Sequence, residues 1–316
     1  MTEPQRGHLA MLAFSALVAG SFSLGAMAAP LISPAALTVA RFGLAGAAVG
    51  IAARMTGGIP ARSWAAPWRY LVLGGLLALY FVLMFEGLRT ASAVPTAAVF
   101  TLTPVLAAGF GWVLLRQIVS ARMAVALALG AAGALWVVFR GDLDALLSLQ
   151  VQRGEVVYFF GCMAHALYTP MVRKLNRGER AVEFTFGTMV AGFLLLTLWG
   201  WRDVLATDWA HLPSIVWICL AYTAFAASAV TFVLLQYGAL RLPASKVMAY
   251  TYLVPTWVIL WELALGHAAP PGRVLVGVAL TVAALALLLK DEAKGQAIKP
   301  STAPLISSPM GSGSDP

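Results

Sequence analysis

Charged side chains are scarce in this chain, and their scarcity excludes most soluble folds. Asp, Glu, Lys and Arg make up 11% of the 316 residues, whereas a typical soluble domain has about 25%. Hydrophobic residues make up 60%, and the mean hydropathy is +0.84. A globule of this composition has too little polar surface to cover itself in water. The composition therefore predicts a polytopic membrane protein.

Cysteine and histidine are also few, which argues against a disulfide framework, a metal centre or a catalytic constellation. Cys162 and Cys219 both fall inside predicted helices and have no metal-ligand spacing, so we expect packing thiols. Of the four histidines, His165 alone lies centrally in a predicted span. The motifs HExxH, GxSxG and GxxxxGK[ST] do not occur. We expect neither enzyme activity nor a metal or other cofactor, and no ATP-driven pumping by this chain.

Long apolar runs, in contrast, are abundant, and a run of about 20 residues spans a bilayer as a helix. The sequence predicts ten such spans: Leu9–Ala28, Ala35–Ala53, Tyr70–Leu88, Ala93–Leu115, Met123–Phe139, Glu155–Val172, Phe184–Trp201, Ser214–Gly238, Ala244–Leu265 and Val274–Leu289. The first run also resembles a secretory signal peptide, but it is longer than the usual apolar core of about 7–15 residues. Residues 291–316 are rich in Ser, Pro and Gly and predict a disordered cytoplasmic tail.

Lys and Arg are distributed unequally between the predicted loops. If the N-terminus is cytoplasmic, 15 of the 21 fall on the cytoplasmic side, Arg41 lies within a span, and five fall on the other side: Arg89, Arg140, Arg153, Arg202 and Arg273. The positive-inside rule then places both termini in the cytoplasm, and we expect a bacterial inner membrane. The net charge of +8 is accounted for by this asymmetry, so no nucleic-acid partner is expected.

Two stretches of the chain resemble each other. The segment YFVLMFEGLRTASAVPTAAVFTLTPVL, from Tyr80, aligns with TFVLLQYGALRLPASKVMAYTYLVPTW, from Thr231. Apolar residues match by chance in such sequences, so the informative pairs are Phe81 with Phe232, Gly87 with Gly238, Pro104 with Pro255 and Arg122 with Arg273. Because five spans per half is an odd number, the halves must cross the membrane in opposite directions. We therefore expect two inverted repeats, residues 1–145 and 146–290.

Pro104 and Pro255 lie in the middle of the fourth and ninth predicted spans. A proline removes one helical hydrogen bond and bends the helix, here near Phe100 and Thr251. A single proline in a membrane helix more often serves packing. Interrupted helices at matching positions of an inverted repeat, however, mark the transport site near the bilayer midplane. The matched pair favours a bend at such a site.

The turns LRTASA and LRLPAS, each followed by a proline-centred helix, resemble the drug/metabolite transporter superfamily, and its EamA-type members in particular, over residues 7–290. Within it the chain is similar to YddG-type exporters of aromatic and other neutral amino acids. The resemblance implies an all-α, basket-like bundle around a central cavity lined by spans 1, 3, 4, 6, 8 and 9. The glutamate that often follows the proline helix is present as Glu262 but is replaced by Gly111 in the first half.

Aromatic and polar side chains form stripes at helical spacing on the third, sixth and ninth predicted spans. Such stripes usually pack, but here they coincide with the expected site, and a tyrosine can both stack on an apolar solute and hydrogen-bond to it. The predicted substrate-binding residues are Tyr80, Met84, Phe100, His165, Tyr168, Lys246, Tyr250, Tyr252 and Trp257. Few charges occur in this region, which favours a neutral zwitterion with an apolar side chain over a large anion. Snorkelling of Lys246 is the alternative to carboxylate binding.

Ionisable groups within spans are functional candidates by default. We expect Arg41 to cap backbone carbonyls on a peripheral helix, and Glu86 to pair locally with Arg89. Glu262 is expected at the membrane interface, with proton binding as the less favoured alternative. His165 is expected to face the cavity without titrating.

The sequence therefore predicts a secondary transporter that exports aromatic and other neutral amino acids by alternating access. Export of another small metabolite or a drug is the alternative. An intramembrane enzyme would need a catalytic constellation, and a structural membrane subunit would not require the repeat or the paired prolines. The expected partners are a small-molecule substrate and the lipid bilayer, with the oligomeric state left open.

Overall fold

The computed structural model describes residues 3–147 and 151–297, which form helices and no strands. In chain order the helices are α1 Glu3–Ala28, α2 Pro34–Met55, α3 Trp68–Leu88, α4 Ala93–Phe100, α5 Thr103–Leu115, α6 Ala121–Val138, α7 Leu143–Leu147, α8 Arg153–Leu175, α9 Ala181–Ala206, α10 Ser214–Ala224, α11 Thr231–Ala239, α12 Ala244–Ala249, α13 Val254–Ala264 and α14 Gly272–Ala297. A π-helical segment, Phe225–Val230, joins α10 to α11, and a 3-10 turn, Tyr250–Leu253, joins α12 to α13.

All ten predicted spans coincide with helical segments of the described chain. Eight of these are long and apolar enough to cross a membrane by themselves. Helix α8 is less apolar because it carries charged residues at both ends and His165 in its middle, and the apolar part of α14, Gly272–Leu288, is shorter. Helix α14 continues to Ala297, so it replaces the beginning of the tail expected from residue 291. Residues 298–316 of that tail lie outside the described residues.

Helices of the two halves pack against one another in corresponding pairs. Helix α2 packs on α9, α5 on α12, and α6 on α14. At the last of these contacts Gly133 faces Gly277, and a Cβ atom on either glycine would lie 2.7 Å from the carbonyl oxygen of the other. Small residues allow such close backbone approach. Because lipid tails are as apolar as the side chains, helices in a membrane are stabilised by van der Waals packing of this kind and not by hydrophobic burial.

The α-helical pattern is interrupted just before Pro104 and just before Pro255, where the sequence predicts bends. The hydroxyl of Thr103 donates a hydrogen bond of 2.7 Å to the carbonyl of Phe100, which satisfies a backbone group at the interruption. The same hydroxyl lies 3.2 Å from the hydroxyl of Thr251 in the other interrupted span. The two bends therefore meet inside the bundle.

A buried ion pair ties α3 to the loop between α8 and α9. Arg69 donates hydrogen bonds of 2.7 Å to the carboxylate of Glu179 and of 2.7 Å to the carbonyl of Leu175. Burial alone would raise the pKa of Glu179, but hydrogen bonds from Arg69 and from the backbone N–H of Arg177 outweigh it and hold this pKa below its ordinary value. The pair fixes the ends of the helices that frame the centre of the bundle.

Candidate central binding site

A small cavity lies at the centre of the bundle, between α1, α2, α3, α8 and the π segment with α11. Its volume of about 10 Å³ is about that of one water molecule. All ten lining residues are buried. Six are apolar, namely Phe14, Val18, Phe81, Met84, Ala227 and Phe232, and four are polar, namely Ser21, Arg41, Tyr80 and His165. The cavity thus combines an apolar wall with a few convergent polar groups, as small-molecule sites do.

Arg41 is the charged group of this cavity, and none of its surface is exposed. Its Nε donates a hydrogen bond of 2.6 Å to the hydroxyl of Ser228, and its Nη2 donates one of 2.7 Å to the carbonyl of Ala227. The guanidinium carbon lies 3.7 Å from the centre of the Phe81 ring, within the range of a cation–π interaction. These contacts fix the guanidinium at the cavity wall.

The π segment explains why a carbonyl is available to Arg41 in the interior of a helix. In Phe225–Val230 the hydrogen bonds run over five residues instead of four, which displaces carbonyls from their α-helical partners. The carbonyl of Ala227 is one of these groups, and Arg41 supplies its donor. Single π turns in α-helices occur frequently at functional sites.

Three polar atoms of the cavity residues have no hydrogen-bond partner among the described residues. They are Nη1 of Arg41, Nδ1 of His165 and Oγ of Ser21. Buried polar atoms in proteins are almost always hydrogen-bonded, and an unsatisfied one costs about 1–3 kcal/mol. A ligand that carries complementary groups would satisfy these three atoms.

Aromatic rings form the wall under the guanidinium. The rings of Phe81 and Phe232 stack with their centres 5.6 Å apart, and Phe42 packs edge-on against both. Phe81 and Phe232 are the pair that the sequence repeat aligns. The two halves therefore contact each other through equivalent residues directly beside the cavity.

Two hydrogen-bonded side-chain pairs flank His165 on opposite sides along α8. Tyr158 lies toward the start of α8, and its hydroxyl is 3.0 Å from that of Tyr80. Tyr168 lies toward the other end of α8, and its hydroxyl accepts a hydrogen bond of 3.0 Å from Gln236. All these side chains are buried. These two pairs, here called the tyrosine layers, lie on opposite sides of His165 along α8.

Five of the predicted substrate-binding residues meet at or beside this cavity. Tyr80, Met84 and His165 line it. Phe100 and Tyr168 form the next layer, because their ring centres lie 5.2 Å and 6.4 Å from that of His165. The structure brings these residues together from α3, α4 and α8.

The predicted residues of the ninth span and the two prolines are placed elsewhere, and none of them lines the cavity. Tyr250 is hydrogen-bonded to Nδ1 of His8 at 2.9 Å, near the beginning of α1. Tyr252 points the opposite way and packs against Gly130 of α6, with its hydroxyl 3.4 Å from the carbonyl of Leu127. The roles assigned to Lys246, Tyr250, Tyr252, Trp257, Pro104 and Pro255 therefore remain predictions.

Arg41 bonds a backbone carbonyl as expected, but it does so at the central cavity, which the sequence did not predict. Helix α2 begins with Pro34, and its second turn reaches the cavity, where Arg41 is buried. The sequence also missed Ser21 and every apolar wall residue except Met84. A charge inside a span is a functional signal in itself, and it could have identified Arg41. No such signal marks an apolar ring.

Other charged residues lie where the sequence predicts them. Glu86 pairs with Arg89 at 3.1 Å, which confirms a local ion pair at the end of α3. Glu262 lies near the end of α13, with a carboxylate oxygen 2.8 Å from Nδ1 of His267. It does not line the cavity. Both cysteines are buried and unpaired, as expected for packing thiols.

The two halves of the chain each match the same family. The EamA-like transporter family matches residues 5–139 and, separately, residues 152–290. The chain belongs to the EamA-like transporter family. It is therefore a membrane transporter of small molecules, and the expected membership in the drug/metabolite transporter superfamily is confirmed.

The chain is also similar to a curated protein and to solved structures. It is 26% identical over 265 residues to the uncharacterized transporter YyaM of Bacillus subtilis (strain 168), covering 82% of this chain and 86% of that protein. A structure titled only "Crystal structure of protein" superposes with a TM-score of 0.69 at 22% identity and covers 92% of this chain and 98% of that one. At that identity the second likeness concerns the fold alone, and the YddG-type resemblance stays a prediction.

Proposed function

We propose that this EamA-like protein is a secondary transporter that exports aromatic and other neutral amino acids across the bacterial inner membrane by alternating access. The observation that carries the proposal is the central cavity, where an aromatic wall meets three unpartnered polar atoms. An aromatic or aliphatic side chain matches the wall, and the polar end of an amino acid matches the polar atoms. The pairing of equivalent helices from the two halves supports an inverted repeat with its site at the interface.

The tyrosine layers are proposed as the two barriers of the alternating-access cycle. If the N-terminus is cytoplasmic, the Tyr80–Tyr158 pair lies on the periplasmic side of His165 and the Tyr168–Gln236 pair on the cytoplasmic side. The first pair joins α3 to α8 and the second joins α8 to α11, so we expect each side to open when the pair on that side separates. With both pairs formed, the arrangement corresponds to a closed intermediate between two open states.

The small volume of the cavity fits this interpretation. About 10 Å³ holds no amino acid, so binding requires the helices or the wall side chains to separate. Met84 is an unbranched, adaptable side chain that can change rotamer to enlarge the cavity. We therefore place substrate entry in an open state and the structure described above in the closed step of the cycle.

Export of another small metabolite or a drug is the second candidate function. The apolar wall would suit either kind of solute. A cationic drug fits poorly beside the buried guanidinium of Arg41, because the two like charges would repel at low dielectric. This alternative therefore requires an uncharged or anionic solute.

Flux in proteoliposomes tests the proposal. Radiolabelled L-phenylalanine, L-tryptophan and L-methionine should enter liposomes that contain the protein, with saturation, and L-glutamate and L-lysine should not. The same assay with and without a pH gradient shows whether protons are coupled. Protein-free liposomes are the control, and the exposed substitution Arg202→Gln should leave uptake unchanged. Absence of uptake for every neutral amino acid would refute the substrate assignment.

A further inference from the structure

The central cavity has an uncompensated charge. Arg41 is the one permanently charged residue that lines the cavity, and no Asp or Glu lines it. No ion pair of Arg41 occurs within residues 3–147 and 151–297 either, although the buried Arg69 has Glu179 as its partner. Burying a charge away from water is costly unless another charge or enough dipoles compensate it. The cavity is therefore built for a ligand that brings the missing negative charge.

The guanidinium also has donors left over. Of the five N–H groups of an arginine, Arg41 uses one on Ser228 and one on Ala227. The remaining donors include both N–H groups of Nη1, the nitrogen without a partner. A carboxylate is the small anionic group whose two oxygens match the spacing of guanidinium donors.

We infer that Arg41 anchors the carboxylate of the transported solute, and that the substrate class of this site is apolar monocarboxylates in which an α-ammonium group is dispensable. The inference rests on the proposed function only in taking the central cavity as the transport site. Ser21 Oγ and His165 Nδ1 are the remaining groups that hydrogen-bond the carboxylate or its neighbouring atoms. The Phe81 and Phe232 rings receive the apolar part of the solute.

No acidic residue lines the cavity, which explains why an α-ammonium group contributes little to binding there. An α-ammonium needs a carboxylate or several carbonyl oxygens to replace its hydration. The carbonyl of Ala227 already accepts a hydrogen bond from Arg41, and Ser21 Oγ and His165 Nδ1 are assigned as donors to the carboxylate. The carboxylate therefore dominates recognition, and a solute without the amino group keeps its main contact.

A ligand series on the purified wild-type protein tests this inference without any substitution. The probes are 3-phenylpropionate, L-phenylalanine and phenethylamine, which share a phenyl ring and differ in their charged groups. Binding of radiolabelled 3-phenylpropionate is expected, with phenethylamine weaker by about tenfold or more, the equivalent of one charge-assisted hydrogen bond. Phenethylamine that binds as tightly as 3-phenylpropionate would overturn the inference.

Substitution of the arginine gives the second test. Arg41→Gln should weaken 3-phenylpropionate by about tenfold or more while leaving phenethylamine unchanged or tighter. Arg41→Lys keeps the charge and should bind with intermediate affinity, which a purely structural clamp on the π segment would not produce. Arg202→Gln, at an exposed arginine, should bind like wild type. If Arg41→Gln is folded by gel filtration and binds 3-phenylpropionate as wild type does, the inference is wrong.

Failure of the proposed function and failure of this inference give different results. If L-phenylalanine is not transported but 3-phenylpropionate binds in an Arg41-dependent way, the amino-acid substrate is wrong and carboxylate binding by Arg41 is supported. If L-phenylalanine is transported with the same KM by wild type and Arg41→Gln, carboxylate binding by Arg41 is wrong and the transport function is supported. Should Arg41→Gln not fold, the wild-type ligand series decides alone.

Discussion

Arg41 and Arg69 are both almost completely buried, but they differ in what neutralises them. Arg69 meets a carboxylate from the loop after α8, so its charge is compensated within the chain. Arg41 meets a hydroxyl, a carbonyl and a phenyl ring, which solvate the guanidinium without neutralising it. One buried arginine therefore serves structure, and the other is available to a ligand.

Glu179→Gln removes the charged partner of Arg69, so we expect it to change how the stability of the protein depends on pH. The pKa of Glu179 is held below its ordinary value of 4.5, so the stability gained from ionisation is present above that pH and is lost as the pH falls through the lowered folded-state pKa. At about pH 7 the variant should lose about 1–3 kcal/mol. Melting temperatures of both proteins should converge as the pH falls through the lowered folded-state pKa of Glu179. A difference that stays constant with pH would contradict the ion pair.

Residue-scale reasoning from sequence succeeded where chemistry is local. The Glu86–Arg89 pair follows from a spacing of three residues, and the packing role of Cys162 follows from its apolar surroundings. The role of Arg41 depends on which neighbours α2 meets, and its partner Ser228 is 187 residues away in the chain. A contact of that separation has no local sequence signal.

At the scale of helices, contact between α6 and α14 depends on two glycines. Gly133→Ala would place a methyl group 2.7 Å from the carbonyl oxygen of Gly277, so the helices must separate. We expect a loss of about 1–3 kcal/mol in stability, as for other overpacked sites. The matched control is Gly109→Ala in α5, where the added Cβ has no neighbour within 4 Å. Thermal unfolding in one detergent compares them, and equal melting temperatures would refute the close contact.

The interrupted spans make a second prediction at this scale. Pro104→Ala or Pro255→Ala restores the backbone donor and lets the helix straighten through its interruption. Because the two bends meet at Thr103 and Thr251, straightening one should slow flux several-fold while the protein stays folded. The loop substitution Pro60→Ala is the control. Proteoliposome flux measures the effect, and wild-type rates in both helix variants would show that the bends serve packing alone.

Helix interruptions were predictable from sequence only where proline causes them. The breaks before Pro104 and Pro255 lie close to the expected positions, Phe100 and Thr251. The π segment Phe225–Val230 contains no proline, and its sequence, FAASAV, reads as ordinary apolar helix. It was missed because the donor that satisfies its displaced carbonyl, Arg41, lies in another helix.

For the whole molecule, the account requires both chain ends on the same face of the membrane. Ten spans and the positive-inside rule predict that both ends are cytoplasmic. Tags at the two termini should therefore become accessible to an antibody only after the inner membrane of spheroplasts is permeabilised. A tag placed in the 89–92 loop is the control and should be accessible from outside. Termini found on opposite faces would exclude the two inverted five-span halves.

The sequence predicted the whole-molecule organisation better than the site. Hydropathy placed its predicted spans on helical segments, eight of which are long and apolar enough to cross a membrane, and the family match to both halves agrees with an internal repeat. The direction in which each side chain points was less predictable, because a helix that is apolar all round gives no periodicity to mark its inward face. Tyr80 and His165 therefore reach the cavity as predicted, whereas Tyr252 faces α6 instead.

Thiol labelling at Ser21 tests the central claim, that the cavity opens to the two faces in turn. With Cys162 and Cys219 replaced by alanine, Ser21→Cys leaves one thiol at the cavity wall. A membrane-impermeant maleimide should modify it when added from either face, and L-phenylalanine or 3-phenylpropionate should slow the reaction. Modification from neither face, or equal rates with and without both solutes, would contradict an alternating-access site at this cavity.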